Sequence, residues 1–89
     1  MLVLPIKKKW FNMILSREKT EEYREIKPYW TIRFQNKDFM QCPVRFRNGY
    51  RSNSPYIDAQ IEISVGVGRP EWGAEPNKKY YVLRILKLL

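Results

Sequence analysis

The stretch Ile57-Asp58-Ala59-Gln60-Ile61-Glu62-Ile63-Ser64-Val65-Gly66-Val67 decides the fold. Its apolar residues fall on every second position, the period of a strand with one face in a core and the other in water. A long central strand is predicted here, ended by Gly66, Gly68 and Pro70. Upstream, Val44 to Tyr50 alternates as well, with Val44 and Phe46 on one face and Arg45 and Arg47 on the other. Leu2 to Ile6 reads as a short strand with Pro5 near its exit, where a missing N–H is tolerable. Tyr80 to Leu89 reads as a closing strand rich in Tyr, Val, Leu and Ile. Between the first strand and the rest, Lys7 to Ser16 reads as a helix, with Ile6, Trp10, Met13 and Ile14 toward a core and Lys8, Lys9 and Asn12 toward water. Several short strands, one leading helix and no repeated βα units predict an α+β, mainly β chain: a small antiparallel or mixed β-barrel with its N-terminal helix packed at the barrel end.

The connections are less sharply marked. Lys27-Pro28-Tyr29-Trp30 breaks an extended run, so Tyr29 and Trp30 are predicted on a turn, and Thr31 to Phe39 is given one helical turn before a loop. Asn48-Gly49 is a hairpin signal because both residues accept positive φ. The polar stretch to Pro55 competes with it, and a strand ending near Tyr50 followed by a loop through Pro55 is favoured. Arg69 to Lys79 reads as a loop carrying Trp72 between Glu71 and Gly73.

Eighty-nine residues make a single domain, 1–89. A hydrophobic content of 44% rules out the low-hydrophobicity route to disorder. No apolar stretch is long enough for a signal peptide or membrane span, which gives the expectation of a cytoplasmic protein without a membrane partner. Cys42 is the lone cysteine and histidine is absent, which excludes an internal disulfide and removes the commonest metal ligand and general base. Neither a metal nor a cofactor is expected, and any catalysis must use Lys, Glu, Asp, Tyr, Thr or Ser. Seventeen Lys and Arg against nine Asp and Glu give a net charge of +8, which favours polyanionic partners.

The densest polar chemistry is Ser16-Arg17-Glu18-Lys19-Thr20-Glu21-Glu22-Tyr23-Arg24-Glu25. Read as a strand from Lys19, it places Thr20, Glu22 and Arg24 on one face and Lys19, Glu21, Tyr23 and Glu25 on the other. Neither face is apolar, so the strand either shelters charges in a cleft able to bind a phosphate or a base edge, or pairs Glu22 with Arg24 structurally. Arg45, Arg47 and Arg51, near Asn48 and Tyr50, form a second basic cluster suited to bidentate phosphate contacts, or equally a solvated strand face. Tyr29, Trp30, Tyr50 and Trp72 fall in predicted turns, free to stack on a base or to plug the barrel mouth. The run Lys7-Lys8-Lys9 opposes the helix macrodipole and reads as a solvated face.

The order Leu4-Pro5-Ile6-Lys7-Lys8, Trp10-Phe11-Asn12-Met13-Ile14, Glu18-Lys19-Thr20, Glu22-Tyr23-Arg24, Arg45-Phe46-Arg47-Asn48-Gly49-Tyr50 and Pro70-Glu71-Trp72-Gly73 resembles the ASCH domains, whose fold is like that of the PUA RNA-binding domains. It is most similar to the short, single-domain bacterial and phage members. Arg17 departs from the family, which usually has glycine there, so the helix exit either differs or strains the arginine. The resemblance implies an RNA- or nucleotide-binding domain with a cleft between the first helix and the barrel. Lys19, Arg24, Arg45 and Arg47 would contact phosphate or base acceptors, with Asn48 beside them. Glu22 would accept from a base amine or orient Arg24, and Trp72 or Tyr50 would stack. The resemblance also carries an enzymatic alternative, acetylcytidine amidohydrolase or ribonuclease, in which Lys19, Thr20 and Glu22 would be catalytic. The family's proposed threonine nucleophile aligns with Glu22, and Thr20 could replace it only from the same pocket. A third alternative is a protein-interaction module using the basic face and the loop aromatics.

Overall fold

A computed structural model describes residues 2–35 and 42–89. Strand β1 (Leu2–Ile6) leads through helix α1 (Lys8–Leu15) to β2 (Glu21–Glu25), then through helix α2 (Pro28–Gln35) to β3 (Cys42–Asn48), β4 (Tyr56–Val67) and β5 (Lys79–Leu88). The strands form one sheet in the order β1-β3-β4-β5-β2. Among the described residues only β1 and β3 run parallel, and the other neighbours are antiparallel. The sheet curls into a half-barrel, giving an α+β, mainly β fold. The edges are β1 and β2, and the Arg24 guanidinium spans the gap, donating from Nη2 to the Pro5 carbonyl at 3.1 Å.

The alternation in β4 does what it predicts over most of its length. Ile57, Ala59, Ile61 and Ile63 are buried with Leu4, Val44, Phe46 and Leu83 in the main core, each large aliphatic side chain contributing about 1.5–3 kcal/mol by leaving water. Val65 and Val67 continue the pattern but are 55% and 61% exposed, because the strand outruns the core there. A bulge opposite Gln60 and Ile61 leaves Leu86 as an extra residue in β5, so Leu88 returns to the core side.

The second helix corrects the expectation of a single one. Pro28 ends the extended run and also starts α2, since its fixed φ and missing N–H suit the first helical position. The Lys27 carbonyl accepts from the Trp30 and Thr31 amides at 3.0 and 2.9 Å. Tyr29 and Trp30 are therefore helical, and the i, i+4 pair Trp30 and Phe34 stacks at 5.7 Å, with Phe34 fully buried edge-on to Tyr81. Residues 36–39 of the expected loop lie outside the described residues. In α1 the buried face is Phe11 and Ile14, while Trp10 and Met13 are half-buried. Strand β3 ends at Asn48, and of the Asn48-Gly49 pair only Gly49 takes positive φ, so the loop runs on to Pro55 instead of turning in two residues.

Arg17 takes the left-handed conformation that a glycine would adopt more readily, at φ +70°. The helix exit is kept, with Arg17 N–H donating to Ile14 O at 3.1 Å and Lys19 N–H to Met13 O at 3.0 Å. A side chain in this region costs roughly 1–2 kcal/mol, partly offset by the entropy glycine would lose. Arg17→Gly is expected to raise stability by about 0.5–1 kcal/mol and Tm by roughly 2–8 °C. A thermal melt in which Tm is unchanged or lower would show the exit to be unstrained.

No helix among the described residues is long and apolar enough to cross a membrane. Among the same residues no group of three or more His, Cys, Asp or Glu is placed to hold a metal ion.

Candidate functional site

The signature segment is split by the start of β2. Because the strand begins at Glu21, Lys19 and Thr20 precede it and do not follow its alternation. Lys19 folds back over three residues, placing its Nζ 3.1 Å from Glu22 Oε1. Glu22 Oε2 accepts from Arg24 Nη1 at 2.6 Å. One buried carboxylate thus lies between two cations, and the two faces predicted for Lys19 and Glu22 meet at the strand's edge. Thr20 does not join them. It is exposed, and its backbone carbonyl accepts from Ile85 N–H at 2.9 Å, extending the β2–β5 ladder.

The Lys19 ammonium is enclosed by aromatic rings, 5.0 Å from the centres of Trp10 and Tyr23 and 5.8 Å from Trp72. It also donates to the Trp72 carbonyl at 3.0 Å. Burial pushes the Lys19 ammonium below the usual lysine range, and the Glu22 carboxylate opposes that shift. On the other face of β2, Tyr23 packs against Tyr80 with ring centres 5.7 Å apart. Its hydroxyl donates to Glu21 Oε1 at 2.7 Å and accepts from Arg69 N–H at 2.9 Å. Burial raises this phenol well above the ordinary tyrosine range. Tyr23, Ala74, Tyr80 and Val82 form a second small core under the loop after β4, with Trp72 against it. The short 3₁₀ turn Pro70–Trp72 ends in Gly73 at φ +101°, where a Cβ would come 3.1 Å from the Trp10 ring.

In front of this wall an open cleft of about 820 Å³ lies between the α1 start, β2, the α2 start and the end of β3, within the usual range of ligand sites. Glu22, Arg24, Asn48, Tyr50 and Trp72 line it, as do Lys7, Lys8, Lys27, Tyr29 and Trp30. Arg24 spends three N–H groups inside the fold, on Glu22, the Tyr23 carbonyl and the Pro5 carbonyl, and a guanidinium carries five. Its Cζ lies over the Trp30 ring, 5.3 Å from the ring centre. Tyr50 is 88% exposed at the rim. Glu25 pairs with Lys78 at 3.6 Å, whereas Lys7, Lys8 and Lys27 have no ion pair among the described residues. No serine or threonine lines the cleft among those residues.

Arg45 and Arg47 are not part of this cleft. Val44 and Phe46 fill the core, so the arginines lie on the outer face of the sheet. Arg45 forms a bidentate pair with Asp58, its cross-strand partner, at 2.7 and 3.0 Å, and stacks on Tyr56 with the guanidinium 3.7 Å from the ring centre. The hydrogen bond to Asp58 raises the Arg45 pKa, and the same bond holds Asp58 below the usual carboxylate range. Arg47 is half-buried, and its Nε is out of water without a hydrogen-bond partner among the described residues.

Sequence reasoning missed that Trp10 and the Lys7-Lys8 pair, assigned to the core and to a solvated face, line the cleft. The signal for the lysines was their place at the exit of β1, which lies parallel to β3, so that both strand ends open on the same side. Compared with protein-family models, curated proteins and solved structures, the chain gives no significant match.

Proposed function

We propose that the chain is an RNA- or nucleotide-binding domain of the ASCH type, seating an unstacked nucleotide in the cleft between α1 and the barrel edge. The observation that carries this reading is the convergence of three lysines without an ion pair among the described residues, Lys7, Lys8 and Lys27, with the rings of Trp30, Tyr50 and Trp72 around one cleft. Single-stranded nucleic acid is held by this combination of cations for the backbone and π-faces for the bases. The inner wall adds polar recognition, because the Glu22 carboxylate keeps acceptor capacity after its two ion pairs and Arg24 keeps two donors. The resemblance in the signature and the net charge of +8 point the same way. Binding is favoured over hydrolysis by a threonine nucleophile because Thr20 stands outside the cleft.

Fluorescence anisotropy with a labelled single-stranded RNA across a salt series tests the reading. With roughly three phosphates neutralised, log K against log salt should fall with a slope of about −2. Replacing Lys7 and Lys8 together by alanine should flatten the slope by about 1.4, and Trp30→Ala should weaken binding by about 1–3 kcal/mol with the slope retained. Arg45→Ala should change neither, since Asp58 already neutralises that arginine. A parent protein that binds no RNA at low salt, or binds with a flat salt response, would end the proposal.

A further inference from the structure

Trp10, Glu22, Tyr23 and Trp72, the residues around the Lys19 ammonium, all line the cleft, yet Lys19 itself does not. Its side chain is wholly out of solvent behind them. We infer that Lys19 is a positioning residue, which fixes the Glu22 carboxylate and the Trp72 segment for the ligand without touching the ligand. This rests on the nucleotide-binding reading of the cleft.

An ammonium offers three donors, and this one directs itself at two cleft elements that are far apart in sequence. Glu22 Oε1 sits on β2 at 3.1 Å, and the Trp72 carbonyl sits on the loop after β4 at 3.0 Å. The turn Pro70–Trp72 has no side-chain cap and no buried residue of its own, so it depends on ties from outside. Lys19 supplies one at its end and the Tyr23 hydroxyl supplies another at its start, through Arg69 N–H. The rings of Trp10, Tyr23 and Trp72 enclose the charge and keep water from competing for it. Without the ammonium, Glu22 is held at one oxygen only, by Arg24, and the Trp72 carbonyl loses its buried donor.

Lysine footprinting of the intact protein tests this. Acylation with and without a single-stranded RNA of mixed sequence, read by peptide mass spectrometry, should label Lys7, Lys8 and Lys27 in the free protein and shield them in the complex. Lys19 should stay unlabelled in both. Labelling of Lys19 in the free protein at the rate of a surface lysine overturns the inference, whether or not RNA then protects it. The second measurement is Lys19→Met, which keeps the volume and removes the charge. Its folded form should bind RNA roughly tenfold more weakly with an unchanged salt slope. A slope flattened by about 0.7 would mean a direct phosphate contact, and unchanged affinity would mean a purely structural lysine; either overturns positioning. Failure of the parent protein to bind RNA strikes the cleft reading instead, and the footprint of the free protein still decides whether Lys19 stands behind the wall.

Discussion

Glu22→Ala is expected to cost about 3–5 kcal/mol of stability, the cost of removing one partner from a buried ion pair. The carboxylate is 7% exposed and bonded at both oxygens, to Lys19 at 3.1 Å and to Arg24 at 2.6 Å. Without it the Lys19 ammonium, whose side chain is fully buried, keeps only the Trp72 carbonyl and the surrounding rings. Arg24 fares better, because it retains the Tyr23 and Pro5 carbonyls. A domain of this size has roughly 5–15 kcal/mol in total, so the variant should lose about a fifth or more of its stability and show a Tm lower by roughly 12 °C or more. Lys19→Met should cost less than Glu22→Ala, since it leaves Glu22 paired with Arg24 and fills the aromatic enclosure with an apolar chain of similar length. Urea melts of the two variants check the order. A loss below about 1 kcal/mol for Glu22→Ala would reduce the triad to the worth of a surface pair.

What the sequence made legible follows from how local the cause is. Burial in β4 can be read from its period alone, because Ile57, Ala59, Ile61 and Ile63 each answer to the same face of one sheet. The end of that burial cannot be read, because Val65 and Val67 obey the period and become exposed only where the neighbouring elements stop. Helix α2 was hidden by Pro28, a residue that ends a strand and opens a helix with equal ease, and its real mark was the i, i+4 spacing of Trp30 and Phe34. The unbroken apolar run Tyr80-Tyr81-Val82-Leu83 is buried on both faces, a condition that alternation does not describe.

The candidate site was half legible for the same reason. Glu22 and Arg24 share a face, as two residues apart on one strand must. Lys19 reaches Glu22 because β2 starts two residues later than Lys19, a boundary that propensity does not fix. The arginine face of β3 was read correctly as a face, but its chemistry depends on register. Asp58 lies opposite Arg45 only once β3 and β4 are paired, and that pairing converts a candidate phosphate contact into a closed ion pair. Trp10 was assigned to the core from helical spacing, and it does pack against the core while also facing the cleft.

Gly68→Ala should cost about 1–3 kcal/mol by overpacking, and its effect should reach the cleft. Gly68 follows the end of β4, and a Cβ there would stand 2.7 Å from the Ala74 Cβ and 2.7 and 2.8 Å from Cζ and Cε1 of Tyr23. Neither neighbour yields easily. The Tyr23 ring is fixed by its tilted packing against Tyr80 and by hydrogen bonds to Glu21 and Arg69, and the Ala74 Cβ moves only with its backbone. Relief therefore requires the loop to shift, and the loop carries Trp72 and the carbonyl that Lys19 holds. Urea denaturation should show the loss, and the folded variant should bind RNA more weakly than the parent with its salt slope intact, because no cation is removed. Adding Ala74→Gly removes one of the clashing atoms and should recover part of the stability beyond what additivity gives. A Gly68→Ala protein as stable as the parent would mean that the loop is free to move, and Trp72 would then be no fixed platform for a base.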